Sequence, residues 1–299
     1  MVIILIMIFI GYYVSKKGFL GDNAARDISF LVLNVTNPAY VISCAFSDED
    51  LGITHDDIIM GLLLTAVIYV VLLAFGHILP YILGAPKSDR VMYAMLSIYS
   101  NVGFIGIPVS LAVLGQKSLV YVTFFNIVYT ILFYTHGNII MLRDIEGADK
   151  KLKLSNFVNI GTIAAVITIL LFWFDVKPPI IIEDMISYTG RATTFLAMMV
   201  LGFSFSKLPM KKIFGNVRIY LMIAIRYLAF PIVVVLILKS MFGNNIMVQA
   251  IALMVAVPPG NSPIILATKY GINTDIMSSG VLVSTVLSVI TVTLTTMVL

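Results

Sequence analysis

The stretch Asn101-Val-Gly-Phe-Ile-Gly-Ile-Pro108 decides the fold, because it sets helix-breaking residues in the middle of an apolar run from about 91 to 114. A second stretch, Val257-Pro-Pro-Gly-Asn-Ser-Pro263, interrupts the run from about 247 to 268 in the same way. In hydrocarbon every backbone N–H and C=O must find a partner, so unwound chain persists only where it lines a cavity or is buried in protein. Paired interruptions at corresponding places in two halves point to the binding site of a secondary carrier.

The surroundings of the breaks read as membrane. Of 299 residues, 60% are hydrophobic and 11% charged, with a mean hydropathy of +1.04. A soluble domain of that composition would expose large apolar patches. Ten apolar segments run at about 1–14, 28–46, 58–83, 91–114, 119–142, 157–174, 185–205, 217–241, 247–268 and 275–298. Most reach the ~20 residues that cross ~30 Å of hydrocarbon, and none shows the period-2 alternation of barrel strands. The first segment has no basic leader or small-residue cleavage site and reads as a retained helix. The lone Cys44 excludes an internal disulfide or a multi-cysteine metal site, and reads as a small packing residue.

Charge orients the segments. With ten spans, the lysines and arginines at 16, 17, 26, 87, 90, 143, 150, 151, 153, 207, 211, 212, 218 and 269 fall in alternate connections, against Lys117, Lys177 and Lys239 opposite. The positive-inside rule makes the richer side cytoplasmic and both termini external, as for a multi-pass plasma-membrane protein. Even spreading over short loops gives the net charge of +4 a topological meaning and no nucleic-acid partner. The acidic loop with Asp48, Glu49, Asp50, Asp56 and Asp57 reads as a solvated face, since it lacks the glycine-turn spacing of a calcium loop.

The halves repeat. An offset of about 156 residues lays spans 1 to 5 onto spans 6 to 10, break onto break, which is structural duplication. Five spans per half make the repeat inverted, about an axis in the membrane plane, with a shared site near mid-depth. The predicted organisation is therefore all-α, with ten transmembrane helices as a 5+5 inverted repeat whose broken helices 4 and 9 cross. Residues 1–142 form the first repeat, 143–156 a cytoplasmic connection and 157–299 the second repeat.

Each break then has a chemical reading. Asn261-Ser262-Pro263 is a helix cap followed by proline at the first helical position, and Gly106-Ile107-Pro108 is a looser version. Restarting helices aim free N–H groups and positive dipole ends at one centre, which suits carboxylate or phosphate. The ends of the first half-helices offer carbonyls for Na+ or for the polar part of a substrate. Asn101 brings an amide, and Ser97 lies on the same face; Pro258, Pro259 and Gly260 complete the second break. In span 2, Asn34, Thr36, Asn37 and Pro38 form a polar cluster that either touches substrate or glues helices together. Arg226, deep in span 8 ahead of Pro231, either holds a carboxylate or pairs with backbone carbonyls. Arg191 reads as snorkelling to the interface. No Asp or Glu lies at the centre of a span, which weighs against proton antiport through a buried carboxylate. His77 and His136, the titratable candidates near the cytoplasmic ends of their spans, read as packing or interfacial residues ahead of a proton relay.

These residues resemble the auxin efflux carrier family, which includes the plant auxin carriers of the PIN group and prokaryotic malonate and malate carriers. The most specific pieces are Asn101 to Pro108 and Ala256-Val-Pro-Pro-Gly-Asn-Ser-Pro-Ile-Ile-Leu-Ala-Thr-Lys-Tyr270, with Arg226 ahead of Pro231. The resemblance implies a fold related to NhaA-type antiporters and bile-acid symporters. It also implies a scaffold of helices 1, 2, 6 and 7, a transport domain of helices 3–5 and 8–10, elevator-type alternating access and a homodimer. Ser97 stands where plant members carry a second asparagine, Pro259 stands where they carry glutamine, and the connecting loop is short. These departures favour a prokaryotic carrier of small carboxylates, malonate- or malate-like, over one of auxin. No cofactor is expected beyond a coupling ion, Na+ or H+.

An enzyme would need a paired intramembrane acid and base or a recognisable nucleophile motif, and neither is visible. A channel on the same crossed half-helices is the alternative, without the charge rings or filter carbonyls that channels show.

Overall fold

The computed structural model describes residues 2–21, 23–46, 53–143, 160–174, 176–206 and 215–299. The loop residues Asp48, Glu49 and Asp50, the connection 144–156, the basic residues 207, 211 and 212, and the side chain of Cys44 lie outside the described residues. Among the described residues the regular structure is helical and no strand forms. The helices are α1 (Val2–Lys16), α2 (24–43), α3 (His55–Ile82), α4 (90–114), α5 (Ser118–Met141), α6 (Ile160–Phe174), α7 (Ile180–Ser206), α8 (Val217–Phe242), α9 (246–269) and α10 (Asp275–Thr296). Four of them, α3, α5, α8 and α10, are long and apolar enough to cross a membrane. Shorter apolar helices include Ile6–Lys16, Val102–Leu114, Ile160–Leu171 and Ile246–Ala256.

Local chemistry sets the helix ends. Thr54 and Asp57 form a reciprocal capping box at the start of α3, and the Asn245 side chain accepts the Val248 N–H at 3.0 Å at the start of α9. Beyond α3 and α8 the chain turns at Gly84 and Gly243, and beyond α4 and α9 at Gly115 and Gly271, all with positive φ. Only glycine adopts that backbone without steric cost.

Three helices widen into π turns, at Val32–Thr36 in α2, Val102–Gly106 in α4 and Ile223–Ala229 in α8. Each ends two residues before a proline: Pro38, Pro108 and Pro231. Proline lacks the N–H that would bond the previous turn and its ring presses on the carbonyl there, so the ladder gives way just upstream. The fourth π turn, Phe133–Gly137 in α5, has no such proline, and Pro80 in the last turn of α3 widens nothing.

Packing sorts the helices into two groups. Helix α1 lies along α7, α7 on α2, and α2 on α6. In the other group α3 packs on the first half of α4 and on α5, α8 on the first half of α9 and on the wide turn's neighbour α10, while α5 meets α9 and α10 meets α4. Small residues permit the closest approaches, as they do between helices in lipid. A Cβ at Gly202 would stand 2.0 Å from the Ile8 carbonyl of α1, and Cβ atoms at Gly76 and Gly280 would meet Ile98 and Leu96 of α4.

Candidate functional site

Helix α4 stops at Ile98 and restarts at Val102; α9 stops at Ala256 and restarts at Ser262. Between these points the two extended backbones run antiparallel and pair. The Asn101 N–H donates to the Pro258 carbonyl at 2.7 Å and the Gly260 N–H to the Tyr99 carbonyl at 3.3 Å, so that Ser100 faces Pro259. In this register the N–H at position 259 points away from the partner strand, so proline is tolerated there. Val257 is extended (φ −63°, ψ 135°), the conformation imposed on a residue before proline.

The first break is tied down by its own side chain. Asn101 Oδ1 accepts the Phe104 N–H at 3.2 Å, and the Asn101 carbonyl accepts from Ile105 and Gly106 at 3.2 and 2.9 Å. The helical restart therefore lies at Val102, upstream of the Gly106–Pro108 position expected from sequence, because the asparagine cap acts before the proline. Gly106 lies against Met254 of α9, where a Cβ would stand 2.8 Å from the sulfur. Pro108 is buried in the first turn beyond the π turn.

Arg226 closes the back of the crossover. It sits in the wide turn of α8 with 0% of its surface exposed. Nε donates to the Ser97 carbonyl at 2.5 Å and Nη1 to the Val255 carbonyl at 2.7 Å. These two residues hold the same place, one before the last helical residue, in α4 and α9. A single guanidinium thus satisfies carbonyls that the two helix ends would leave orphaned, and places its charge at two negative dipole ends. Of the two readings for Arg226, the backbone-carbonyl one is what the geometry displays. The neighbouring Tyr227 hydroxyl donates to the Leu96 carbonyl, and the guanidinium stacks 4.7 Å from its ring centre.

In front of the crossover lies a cavity of about 290 Å3. Its walls come from α2 (Asn34, Asn37), the first break (Ser100 to Phe104), α5 (Asn126, Tyr129, Thr130, Tyr134), the start of α6 and the second break (Gly260 to Ser262). Of the residues singled out by sequence, Asn34, Asn37, Asn101, Gly260, Asn261 and Ser262 come together in this wall. Ser97, Gly106, Pro108, Pro258, Pro259, Pro263 and Arg226 do not reach it. Ser97 is fully buried and donates to the Tyr93 carbonyl at 2.7 Å, because the helix ends before Asn101 and the two no longer share a face. Asn34 donates to the Phe30 carbonyl at 2.8 Å. Ser100 Oγ and Asn37 Oδ1 are buried without a hydrogen-bond partner in the protein, a state that normally implies water or ligand. Among the described residues, no Lys, Arg, Asp or Glu lines the cavity. Sequence reading missed the α5 wall. Its signal was Asn126 and Thr130, one turn apart in an apolar helix.

Arg191 is exposed, with its guanidinium 5.7 Å from the Tyr188 ring centre. His77 and His136 pack against each other, outside the cavity.

Comparison with known proteins places the chain among membrane transporters. A family model described as membrane transport protein matches residues 1–296. An uncharacterized transporter of Methanocaldococcus jannaschii is 25% identical, over 98% of this chain and 95% of its own length. An uncharacterized transporter of Methanothermobacter thermautotrophicus is 22% identical, over 99% and 96%. A Rhizobium meliloti protein named "Putative malonate transporter" is 22% identical, over 96% and 91%. The chain belongs to this membrane transport protein family, the auxin efflux carrier family that its two breaks resemble, and is a membrane transporter.

Proposed function

We propose that the chain is a secondary active carrier of a small organic anion, a mono- or dicarboxylate of the malonate or malate kind, bound between the crossed breaks. The observation that carries this reading is the cavity at the crossover, walled by amides, hydroxyls and a restarting helix N-terminus. Ser100 Oγ and Asn37 Oδ1 stand there without protein partners. The volume is at the lower end of the roughly 300–1,000 Å3 of ligand pockets, which fits a molecule of a few carbons. With no charged residue among the described wall residues, the anion is held by neutral donors and by the dipole of Val102–Leu114, whose N-terminus lies at the wall. The malonate name of one relative falls in the same substrate class.

The carrier works as a ten-helix inverted repeat with elevator-type movement. Paired contacts support the repeat: α1 on α7 mirrors α6 on α2, α3 on α4 mirrors α8 on α9, and α5 on α9 mirrors α10 on α4. The turn glycines Gly84 and Gly243, and Gly115 and Gly271, fall at matching helix ends. The group α1, α2, α6 and α7 is the scaffold and dimerises with a second copy, while the remaining helices carry the substrate past it. Both termini face outward from the plasma membrane, following the lysine and arginine distribution.

A thermal-shift panel of mono-, di- and tricarboxylates, each with and without Na+, tests the substrate class. A ligand at 100 times its Kd stabilises the folded state by about 2.7 kcal/mol, an easily resolved shift. Small mono- or dicarboxylates should raise the melting temperature of the wild type and not of Asn101→Ala. No shift with any carboxylate, or equal shifts in both proteins, removes the reading. Saturable flux with counterflow belongs to a carrier, whereas non-saturating conductance belongs to a channel.

A further inference from the structure

Helices α3 and α5 each carry one histidine toward the ends that lead to Lys87 and Arg143, and the rings meet. His77 Nε2 lies 2.8 Å from His136 Nε2, with the rings edge to face and their centres 5.0 Å apart. The other nitrogen, His136 Nδ1, is 2.9 Å from the Tyr99 hydroxyl, which is also 2.9 Å from the Leu132 carbonyl. Burial deepens along this row: His77 is exposed, His136 is partly buried and Tyr99 is 0% exposed. The row ends at the crossover. The Tyr99 carbonyl accepts the Gly260 N–H, and the Tyr99 ring stands edge-on to Tyr129 at 5.6 Å. Gly260 and Tyr129 both line the cavity.

Counting protons along the row defines its capacity. A carbonyl only accepts, so the Tyr99 proton goes either to Leu132 or to His136 Nδ1. With both rings neutral, the first choice makes His136 donate from Nδ1 and accept from His77 at Nε2. The second choice reverses every donation, with the heavy atoms in the same places. One added proton turns His136 into an imidazolium that donates from both nitrogens, to His77 Nε2 and to the Tyr99 oxygen, while Tyr99 donates to Leu132. Every contact then still joins a donor to an acceptor. A second added proton would set two N–H groups face to face at the 2.8 Å contact, and the row would have to break.

Among the described residues, the charged and titratable groups around the row are few. On α5 they are Tyr129 and Tyr134, which pack with Tyr99 and Phe133, and Arg143 beyond the helix end brings its charge toward His77. Helix α4 contributes Tyr99 itself. From α9 comes Tyr270, whose hydroxyl donates to Asn138 Oδ1 at 2.9 Å, and from α8 comes Arg226, held by carbonyls on the far side of the crossover. Among the described residues, no carboxylate acts on either ring.

We propose that His77, His136 and Tyr99 form a binding site for one proton, coupled to the substrate cavity through Tyr99 and its strand partner Gly260. The inference rests on the carrier reading and deepens it by naming H+ as the coupling ion. The proton arrives from hydronium at the exposed His77 edge and leaves water behind; only N–H and O–H bonds form and break. Uptake removes the choice at Tyr99, fixing its hydroxyl on Leu132, and adds positive charge beside the site of an anion. Proton and anion therefore promote each other's binding, a coupling that is reciprocal by linkage. Bound together and carried together, they make the protein a symporter.

Two measurements on the full-length chain test this. In nanodiscs, with 15N-labelled imidazoles, the three histidines are His55, His77 and His136. Between pH 8.5 and 4.5, His77 and His136 should report one shared protonation, and His77→Gln should leave His136 titrating alone. In proteoliposomes with the membrane potential clamped at zero, labelled malonate should collect on the more alkaline side. At one proton per anion the ratio is about tenfold per pH unit, and it should fall to about one in His77→Gln and in His136→Gln. Independent protonation of each ring in the wild type overturns the proposal, as does an accumulation ratio unchanged in both variants. A wild-type chain that takes up one shared proton but moves no malonate at any pH upholds the proton site and contradicts the carrier reading instead.

Discussion

The two breaks perform one task by different means. The first is held by a side chain: Asn101 caps Phe104, and the chain runs through a π turn into Val102–Leu114 with Asn101 and Gly106 buried. The second is held by covalent restriction. Pro258 and Pro259 force extension, and Asn261 and Ser262 are left half-exposed at the cavity wall. A break made by an asparagine cap depends on one hydrogen bond, whereas a break made by prolines does not depend on a side-chain partner. The first break therefore fixes the crossover while bringing Ser100 and Asn101 to the cavity, and the second adds Gly260, Asn261 and Ser262 to its wall. Arg226 is what makes the two equivalent, by holding the same carbonyl position in each.

The largest effect should come from removing that common element. Arg226→Ala deletes two charge-assisted hydrogen bonds and leaves two helix ends unsatisfied, a loss of roughly 3–5 kcal/mol. Thermal unfolding in nanodiscs should show a far lower melting temperature, with Arg226→Lys intermediate because an ammonium lacks the fork that reaches both carbonyls. A near-wild-type melting temperature for Arg226→Ala would show that the breaks stand independently. Next, Asn101→Ala should cost about 1 kcal/mol as a lost cap and should also abolish transport. Asn261→Ala should leave the stability within about 0.5 kcal/mol of wild type while weakening carboxylate binding several-fold. Equal stability losses in Asn101→Ala and Asn261→Ala would erase the distinction between the breaks. Pro259→Ala should cost about 1 kcal/mol and leave carboxylate binding unchanged, since the restored N–H points away from its strand partner at a buried position and the unfolded chain gains freedom.

Much of this was legible because proline, glycine and asparagine act locally. The apolar run 91 to 114 contains the helices Arg90–Ile98 and Val102–Leu114 with the break at Asn101, and Val257 to Pro263 marks the end of Ile246–Ala256 and the restart at Ser262. The sequence places the first restart too late because Pro108 is the louder signal, while the Asn101 cap sets the register. The π turns were hidden in the α-helical pattern, although Pro38, Pro108 and Pro231 each sit two residues beyond one. What lay beyond reach was tertiary. Nothing near Arg226 in sequence identifies carbonyls 129 and 29 residues away as its partners, and the His77–His136 contact joins helices 59 residues apart. Ser97 shows the converse error, since helical spacing to Asn101 meant nothing once the helix ended at Ile98.

The central claim is that the space between the two breaks holds a small carboxylate during transport. Its most direct test is counterflow of labelled malonate in proteoliposomes, comparing the wild type with Asn101→Ala. The account predicts saturable uptake in the wild type, accelerated by unlabelled malonate inside, and none in the variant although it remains folded in the membrane. Uptake that does not saturate, or that proceeds equally well in Asn101→Ala, would contradict it.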